Sequence, residues 1–301
     1  VYWVDLPDFA TSVDNIQIQR GVGTSTNGAA AFGATVNFQT RKLEMEPYAI
    51  YEGTFGSFNT MRHAVSAGTG LLGDHFAVDL RMSDLHSDGY IDRSWTDLRS
   101  YYASAAYHDA RTLVKFVTFS GTEELYQAWN GVPSSMLDTD RTYNGLGAYT
   151  NASGETVYYD NQIDHYKQIH YQLHLSRILG DRWVANGALH YTIGAGYYEQ
   201  YEEEETLADY LLEDVVIGGD TLRQSDLIRR KWLDNDFYGF TAGLQYNGDR
   251  FTSVLGGGWN RYVGDHFGTV IWARYPGESE IRHRWYENRG IKTDGNLYLK
   301  T

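Results

Sequence analysis

Two histidines on one predicted strand are the first candidates for chemistry. His170 and His174 alternate with apolar residues in segment 168–176, so both side chains lie on one face of a strand. Four residues along a strand separate them by about 13 Å, whereas one zinc ion holds each nitrogen at about 2.1 Å. The spacing therefore favours polar lining of a pore over metal ligation, and we predict no metal site.

The acidic run Glu202–Glu205 is a second candidate, because carboxylates bind calcium. A calcium site needs roughly six to eight oxygen ligands brought together by a folded loop. A run that directly follows an aromatic strand end is more typical of a solvated loop. We expect a short helical turn within Thr206–Val215 of the same loop.

Catalytic motifs are not found. The sequence has no G-x-S-x-G nucleophile elbow and no H-E-x-x-H zinc motif. It contains no cysteine, which excludes disulfides, thiolate metal sites and a cysteine nucleophile. The carboxylate pair Asp138 and Asp140 lies in a predicted loop. We therefore predict neither an enzyme nor a resident cofactor.

Aromatic and histidine side chains in the long predicted loops are the best candidates for ligand contacts. Rings bury much surface at a small entropic cost, so binding pockets favour them. Packing of the loops over one another is the alternative use of the same rings. The ligand-binding candidates are Tyr126, Trp129, Trp232, His266, Trp272 and Tyr275.

The elements that must position these residues are strands. Alternation of apolar and polar residues is the dominant pattern. In segment 75–83 it places Asp79 and Arg81 on one face and Phe76, Val78, Leu80 and Met82 on the other. Segments 168–176, 183–193 and 238–246 alternate in the same way, and segments 48–56, 111–121 and 291–301 alternate less cleanly.

The connections between predicted strands alternate in length. Short turns are predicted at 70–74, 108–111, 180–182 and 247–250, and long polar connections at 84–97, 122–165, 199–234 and 263–285. Short turns at one end and long loops at the other are typical of an up-and-down membrane barrel. Aromatic residues near predicted strand ends fit the interfacial girdles of such a barrel.

Composition agrees with many strands. The chain of 301 residues has 25 tyrosines and only 4 prolines, and proline cannot donate to a ladder. The net charge of −14 excludes a general nucleic-acid binder, which needs a basic face. Mean hydropathy is −0.48, and no apolar run approaches the roughly 18 residues of a transmembrane helix.

Residues 16–41 read IQIQRGVGTSTNGAAAFGATVNFQTR. Two alternating strands enclose a glycine-rich run that lacks the Lys-Ser/Thr of a nucleotide-binding loop. The stretch resembles the end of the plug domain of TonB-dependent outer-membrane receptors, although Val22 and Asn27 stand where that family usually has Pro and Tyr. Segments 126–133, 227–239, 264–275 and 280–294 also resemble such receptors, especially those of Bacteroidetes-type bacteria. The matching plug positions are Arg20, Gly21, Gly28, Gly33, Asn37, Thr40 and Arg41.

The resemblance implies an all-β fold in two parts. Residues 1–43 would be the C-terminal part of a plug domain. Residues 44–301 would be the N-terminal part of a transmembrane antiparallel β-barrel, about the first ten of about 22 strands. An open sheet leaves unpaired edge groups in lipid, so we expect an internal fragment of a longer protein. We also expect Arg20 to pair with carboxylates of the barrel wall and hold the plug.

The resemblance also implies a location and partners. The expected location is the outer membrane, as a multi-pass barrel in contact with lipid. The expected function is energy-coupled import, with TonB binding a segment outside this sequence. The ligand would be scarce and large, with a metal chelate (ferric siderophore) or haem first and cobalamin or a glycan behind.

Two other classes of protein stay open. A passive porin or surface-binding barrel would have no plug, so residues 1–41 would not sit inside the lumen. A soluble all-β glycan-binding module or hydrolase would bury the face of Phe76, Val78 and Leu80 against protein.

Overall fold

The computed structural model describes residues 6–21 and 33–301. It contains short 3-10 turns and no α-helix within those ranges. No helix in the described part is long and apolar enough to cross a membrane. The strands are β1 (Val13–Arg20), β2 (Ala34–Thr40), β3 (Tyr48–Gly56), β4 (Thr60–Gly68), β5 (Phe76–Ser87), β6 (Thr96–His108), β7 (Thr112–Tyr126), β8 (Ala148–Thr150), β9 (Thr156–Tyr158), β10 (Ile163–Leu179), β11 (Trp183–Thr206), β12 (Val215–Ile217), β13 (Asp220–Leu222), β14 (Gln224–Asn247), β15 (Thr252–Ala273) and β16 (His283–Lys300).

Ten of these strands form one antiparallel sheet. Their order is β3-β4-β5-β6-β7-β10-β11-β14-β15-β16, so each strand pairs with its neighbours in the chain. The three remaining pairs, β1–β2, β8–β9 and β12–β13, are separate two-stranded sheets. The predicted all-β, up-and-down antiparallel architecture with about ten barrel strands is confirmed.

One face of the large sheet carries an exposed apolar band. A single cross-strand row runs through β5, β6, β7, β10, β11, β14 and β15. Its members Phe116, Leu173 and Leu189 are 42%, 41% and 57% exposed. Large apolar side chains are not left in water over such an area, so this band is the lipid-facing surface. The row consists of Val78, Ala105, Phe116, Leu173, Leu189, Phe240 and Trp259.

The opposite face, called the polar face below, carries the complementary row. Each of its members except Asp294 of β16 is the chain neighbour of a residue in the apolar row. Asp79 and Ser104, for example, are buried on this face. A soluble module would bury the apolar side, but here the apolar side chains are exposed. The polar row is Asp79, Ser104, Val117, Gln172, His190, Gly239, Asn260 and Asp294.

The strands are longer than the sequence suggests. The short turns lie near their predicted places, but the long connections shrink to 88–95, 127–162, 207–223 and 274–282. Strands β11 and β14 each have 24 residues, whereas about 9–11 residues span a bilayer. The predicted loops 199–234 and 263–285 are therefore wrong in extent, because much of each is strand beyond the membrane. Strand β4 was not predicted from the sequence, because its small residues Ala64 and Ser66 weaken the apolar alternation.

Two loops pack on opposite faces of the strand extensions. Most of loop 127–162 covers the face that carries the apolar band lower down, where the Tyr159 hydroxyl donates to Glu199 at 2.5 Å, and its first residues, Gln127 and Trp129, contact Gln200 and Tyr198 on the polar face. Loop 207–223 covers the polar face, where Leu207 and Tyr210 pack on Leu227 and Val270. The expected helical turn within Thr206–Val215 is the 3-10 turn Leu207–Tyr210.

Candidate functional site

A short segment, residues 6–12, is seated on the polar face of the sheet. Asp8 precedes the 3-10 turn Phe9–Ser12, and its backbone is left-handed with φ 53°. The Asp8 carboxylate accepts a hydrogen bond from Arg62 Nε at 2.8 Å and close hydrogen bonds from Arg81 and Ser83. Arg81 is only 2% exposed. One carboxylate therefore bridges two arginines of strands β4 and β5 largely away from water, and Arg62 also lies 3.6 Å from the carboxylate of Glu52.

Aromatic packing holds the other side of the segment. The ring of Phe9 stacks on Phe119 with centroids 4.6 Å apart and meets Phe38 of β2 edge-on at 6.0 Å. Phe119 also stacks on His170 at 4.3 Å. His170, placed by the sequence on a polar pore lining, lies buried on the polar face and binds the Thr192 hydroxyl through Nδ1 at 2.9 Å. The segment is thus fixed by both charge and ring contacts.

The β1–β2 hairpin is tied to the same surface. The backbone N–H of Arg41 donates to the carbonyl of Ser12 at 3.2 Å, and Lys115 Nζ of β7 donates to the Arg41 carbonyl at 2.7 Å. Arg41 also donates through Nη2 to the carbonyl of Thr11 at 3.1 Å. Segment 6–12, hairpin and wall therefore form one connected hydrogen-bonded contact.

The predicted plug signature lies on this hairpin. Gly21 has φ +81°, which favours glycine, and its N–H donates to the Gly33 carbonyl at 2.7 Å. Asn37 pairs with Gln17 in the β1–β2 register. Gly28 lies outside the described residues. Arg20 pairs with Ala34 and is exposed, and in the described ranges no carboxylate of the wall pairs with it. The charges of the observed contact are opposite to those expected for Arg20. Residues 6–12 supply the carboxylate of Asp8, and the barrel wall supplies Arg62 and Arg81.

The six ligand-binding candidates do not come together. Tyr126 is buried beneath loop 127–162, where its hydroxyl oxygen lies 3.1 Å from the carbonyl oxygens of both Leu146 and Tyr159 and shares its one hydrogen between them. Trp232 and Trp272 lie on strands, on the face of the apolar band. His266 lies on the polar face of β15. The two candidates that are in loops are Trp129, which is 52% exposed, and Tyr275.

The polar face near the loop end carries residues that sequence reasoning missed. Tyr198, Lys231, Gly268 and Tyr286 are direct neighbours across strands β11, β14, β15 and β16. A side chain at Gly268 would clash with the rings of Trp285 and Tyr286, so glycine lets both rings approach the strand closely. Gly194 of β11 likewise leaves room for the ring of Tyr166, which lies on the neighbouring strand β10. The glycines and tyrosines that share one face of β11 and β15 were the sequence pattern that could have indicated this surface.

Lys231 supplies the cation of this row of four residues. Its Nζ lies 5.6 Å from the centre of the Tyr198 ring, and no carboxylate in the described part of the chain forms an ion pair with it. Burial, and then the nearby Arg229 guanidinium, lower the pKa of Lys231. Arg229 itself is paired with Glu202, whose pKa is raised by burial. Lys231 can therefore offer an ammonium to a bound anion, with rings beside it.

Comparison with known proteins bears on the fold. The sequence matches no family model and no curated protein. The fold matches BauA, the ferric preacinetobactin receptor of Acinetobacter baumannii, at 13% identity with a TM-score of 0.65, covering 94% of this chain and 43% of that one. It also matches the ferric-catecholate import receptor Fiu of E. coli K12, at 10% identity and a TM-score of 0.68, covering 96% and 46%. The ferripyoverdine receptor of the Pseudomonas aeruginosa outer membrane matches at 12% identity with a TM-score of 0.60, covering 95% of this chain and 39% of that one.

The chain has the fold of part of an outer-membrane siderophore receptor, as its resemblance to TonB-dependent receptors predicts. It spans about 40–50% of the length of the receptors that it matches. The expected outer-membrane, multi-pass location agrees with this fold and with the exposed apolar band. Identities of 10–13% relate folds, and what this chain does follows from its own surfaces.

Proposed function

We propose that this chain is the part of a TonB-dependent importer in which the end of a plug, residues 1–43, meets the first ten barrel strands, within residues 44–301. The importer takes up a ferric siderophore across the outer membrane. TonB engages a segment outside this sequence, and the apolar band contacts outer-membrane lipid. The protein acts as a transporter and not as an enzyme.

The observation that carries the proposal is the position of residues 6–12. They are bound to the polar face, opposite the lipid-facing band, by Asp8 and Phe9. A passive porin needs an open, water-filled pore at this place. A segment fixed there by ionic and aromatic contacts supports a gated importer over a porin or a surface-binding barrel.

The ligand class rests on the polar face near the loop end. The receptors with matching folds are receptors for ferric chelates, and the polar face of this chain offers Lys231 beside Tyr198 and Tyr286. His266 lies on the same face, one cross-strand row further down β15. Trp129 and Tyr275 remain candidates on the loops. A ferric siderophore is therefore our first ligand, ahead of haem, cobalamin and a glycan.

Substitution of Lys231 should weaken chelate binding. Lys231→Met removes the ammonium and keeps the apolar stem, so affinity for a ferric catecholate should fall about tenfold, or ~1.4 kcal/mol. The measurement is fluorescence quenching of the complete receptor by the ferric complex. Lys167→Met is the matched control, because Lys167 is an exposed lysine on the other face of β10 and should leave affinity unchanged. Equal affinities in both variants would remove Lys231 from the site.

Energy coupling can be tested by uptake. Cells that carry the complete receptor should accumulate radioactive iron from a ferric siderophore. The uptake rate should fall to that of receptor-free cells when TonB is deleted or the proton gradient is collapsed. Binding to the cell surface should persist, because binding needs no energy. Uptake that continues at an unchanged rate without TonB would contradict the proposal and favour a passive pore.

A further inference from the structure

A cavity of about 480 Å³ lies between loops 207–223 and 274–282. This volume is within the range of about 300–1,000 Å³ that is typical of ligand sites. Its floor includes the buried residues Leu207 and Val270, and Leu212 and Val215 line its side. None of the residues named above as ligand contacts on the polar face lines it. Two of the six candidates from the sequence do, Trp272 of β15 and Tyr275 of loop 274–282.

The mouth of the cavity is rich in exposed apolar side chains. Leu211 and Ile281 line it and are 66% and 94% exposed, and Val216 and Ile217 of the adjoining β12 are 67% and 51% exposed. These loops follow strands of 22–24 residues, well past the roughly 9–11 residues that lipid covers. Lipid therefore does not cover this patch, and exposed apolar patches of this kind mark binding surfaces.

The rim of the cavity is acidic, which selects the occupant. Glu213, Glu278 and Glu280 line the cavity, with Arg282 as the opposing charge. Neither Glu278 nor Glu280 has an ion-pair partner in residues 6–21 or 33–301. An occupant must match both an apolar interior and a negative rim. Anionic amphiphiles such as phosphorylated outer-membrane lipids match the apolar interior but are repelled by the negative rim.

We propose that this cavity binds a cationic amphiphilic peptide segment. One large apolar side chain, such as Leu, Phe or Trp, enters the cavity above Leu207 and Val270. An adjacent lysine or arginine pairs with Glu278 or Glu280. This site is separate from the chelate surface around Lys231, and it does not depend on the proposed import.

The test uses the complete protein in lipid nanodiscs and three fluorescent nine-residue peptides. The first has a central Trp flanked by lysines, the second replaces the lysines with glutamates, and the third replaces the Trp with Ser. Fluorescence anisotropy should show saturable binding of the first peptide only. Absence of binding by the first peptide, or equal binding by the first two, would overturn the proposal.

Variants locate the binding within the cavity. The double variant Glu278→Gln and Glu280→Gln should weaken the lysine peptide about three- to tenfold, the range for two exposed ion pairs. Ile281→Ser should weaken it as well, through the apolar contact. The matched control removes two exposed, unbonded carboxylates of loop 127–162, by Asp138→Asn and Asp160→Asn, and should change nothing. Equal weakening by the control pair would show general charge attraction and refute the site.

Discussion

Replacing Asp8 with alanine should release residues 6–12 from the barrel wall. Arg81 is 2% exposed and would lose its counter-charge while facing Arg62. Removing one partner of a buried ion pair costs about 3–5 kcal/mol, because the other charge stays buried and unpaired. The exchange of backbone amide hydrogens in residues 9–20 should therefore accelerate at least about a hundredfold in the complete receptor.

The control for this variant is another aspartate on the same part of the chain. Asp14 is exposed, and its carboxylate accepts only the backbone N–H of Lys42 in the described structure. Asp14→Ala should leave the exchange of residues 9–20 nearly unchanged. If Asp8→Ala behaves like Asp14→Ala, the ion pairs of Asp8 with Arg62 and Arg81 do not hold the segment. A faster uptake by Asp8→Ala would further indicate that breaking this contact limits import.

Replacing Leu189 with arginine should destabilise the barrel. Leu189 lies between Leu173 and Phe240 in the exposed apolar row and is itself 57% exposed. A charged side chain on the lipid face near the bilayer midplane costs about 2–4 kcal/mol. An exposed leucine of a water-soluble protein changed in this way would shift stability by only about 0.5 kcal/mol.

The measurement is urea unfolding of the complete barrel in lipid vesicles. Asn186→Arg is the matched control, because Asn186 is exposed on the polar face of the same strand. Its stability should stay close to that of the parent protein. Equal losses for both variants would mean that the two faces do not differ in environment, and the lipid-facing assignment would be wrong.

Most of the membrane-spanning part of the fold, β4 excepted, could be predicted from alternation alone. In β5, Phe76, Val78, Leu80 and Met82 are exposed, while Asp79 and Arg81 are buried on the other face. Lipid on one side and polar contacts on the other impose a period of two on the residue types. The pattern therefore predicts both the strand and the face that it turns toward lipid.

The strand extensions could not be predicted in the same way. In β11, Glu199 lies beneath loop 127–162 and accepts a hydrogen bond from Tyr159, while Tyr198 and Gln200 lie on the polar face and contact Trp129 and Gln127 of the same loop. Both faces are covered by protein and carry polar and aromatic residues, so the period of two disappears. Polar sequence there resembles loop, and Trp232, His266 and Trp272 were therefore expected in loops although they lie on strands.

The contact that holds residues 6–12 is beyond sequence reasoning for another reason. Asp8 binds Arg62, 54 residues away, and Arg81, 73 residues away. The register of β4 against β5 brings those two arginines to one place on the polar face, and the fold then brings residues 6–12 onto them. Lys231 is similar, because the absence of an ion pair to it within residues 6–21 and 33–301 depends on Glu202 being bound by Arg229, which lies on the same strand as Lys231.

The two-faced sheet can be measured most directly by spin labelling, since the chain has no native cysteine. Single cysteines replace Leu173, Leu189 or Phe240 on the apolar row, and Gln172, His190 or Thr241 on the polar face. In membranes, labels on the apolar row should collide with lipid-dissolved oxygen and be shielded from a water-soluble nickel complex, and labels on the polar face should show lower oxygen accessibility. Labels on the apolar row that are shielded from both relaxants would place that row in a dry protein interior and contradict the account.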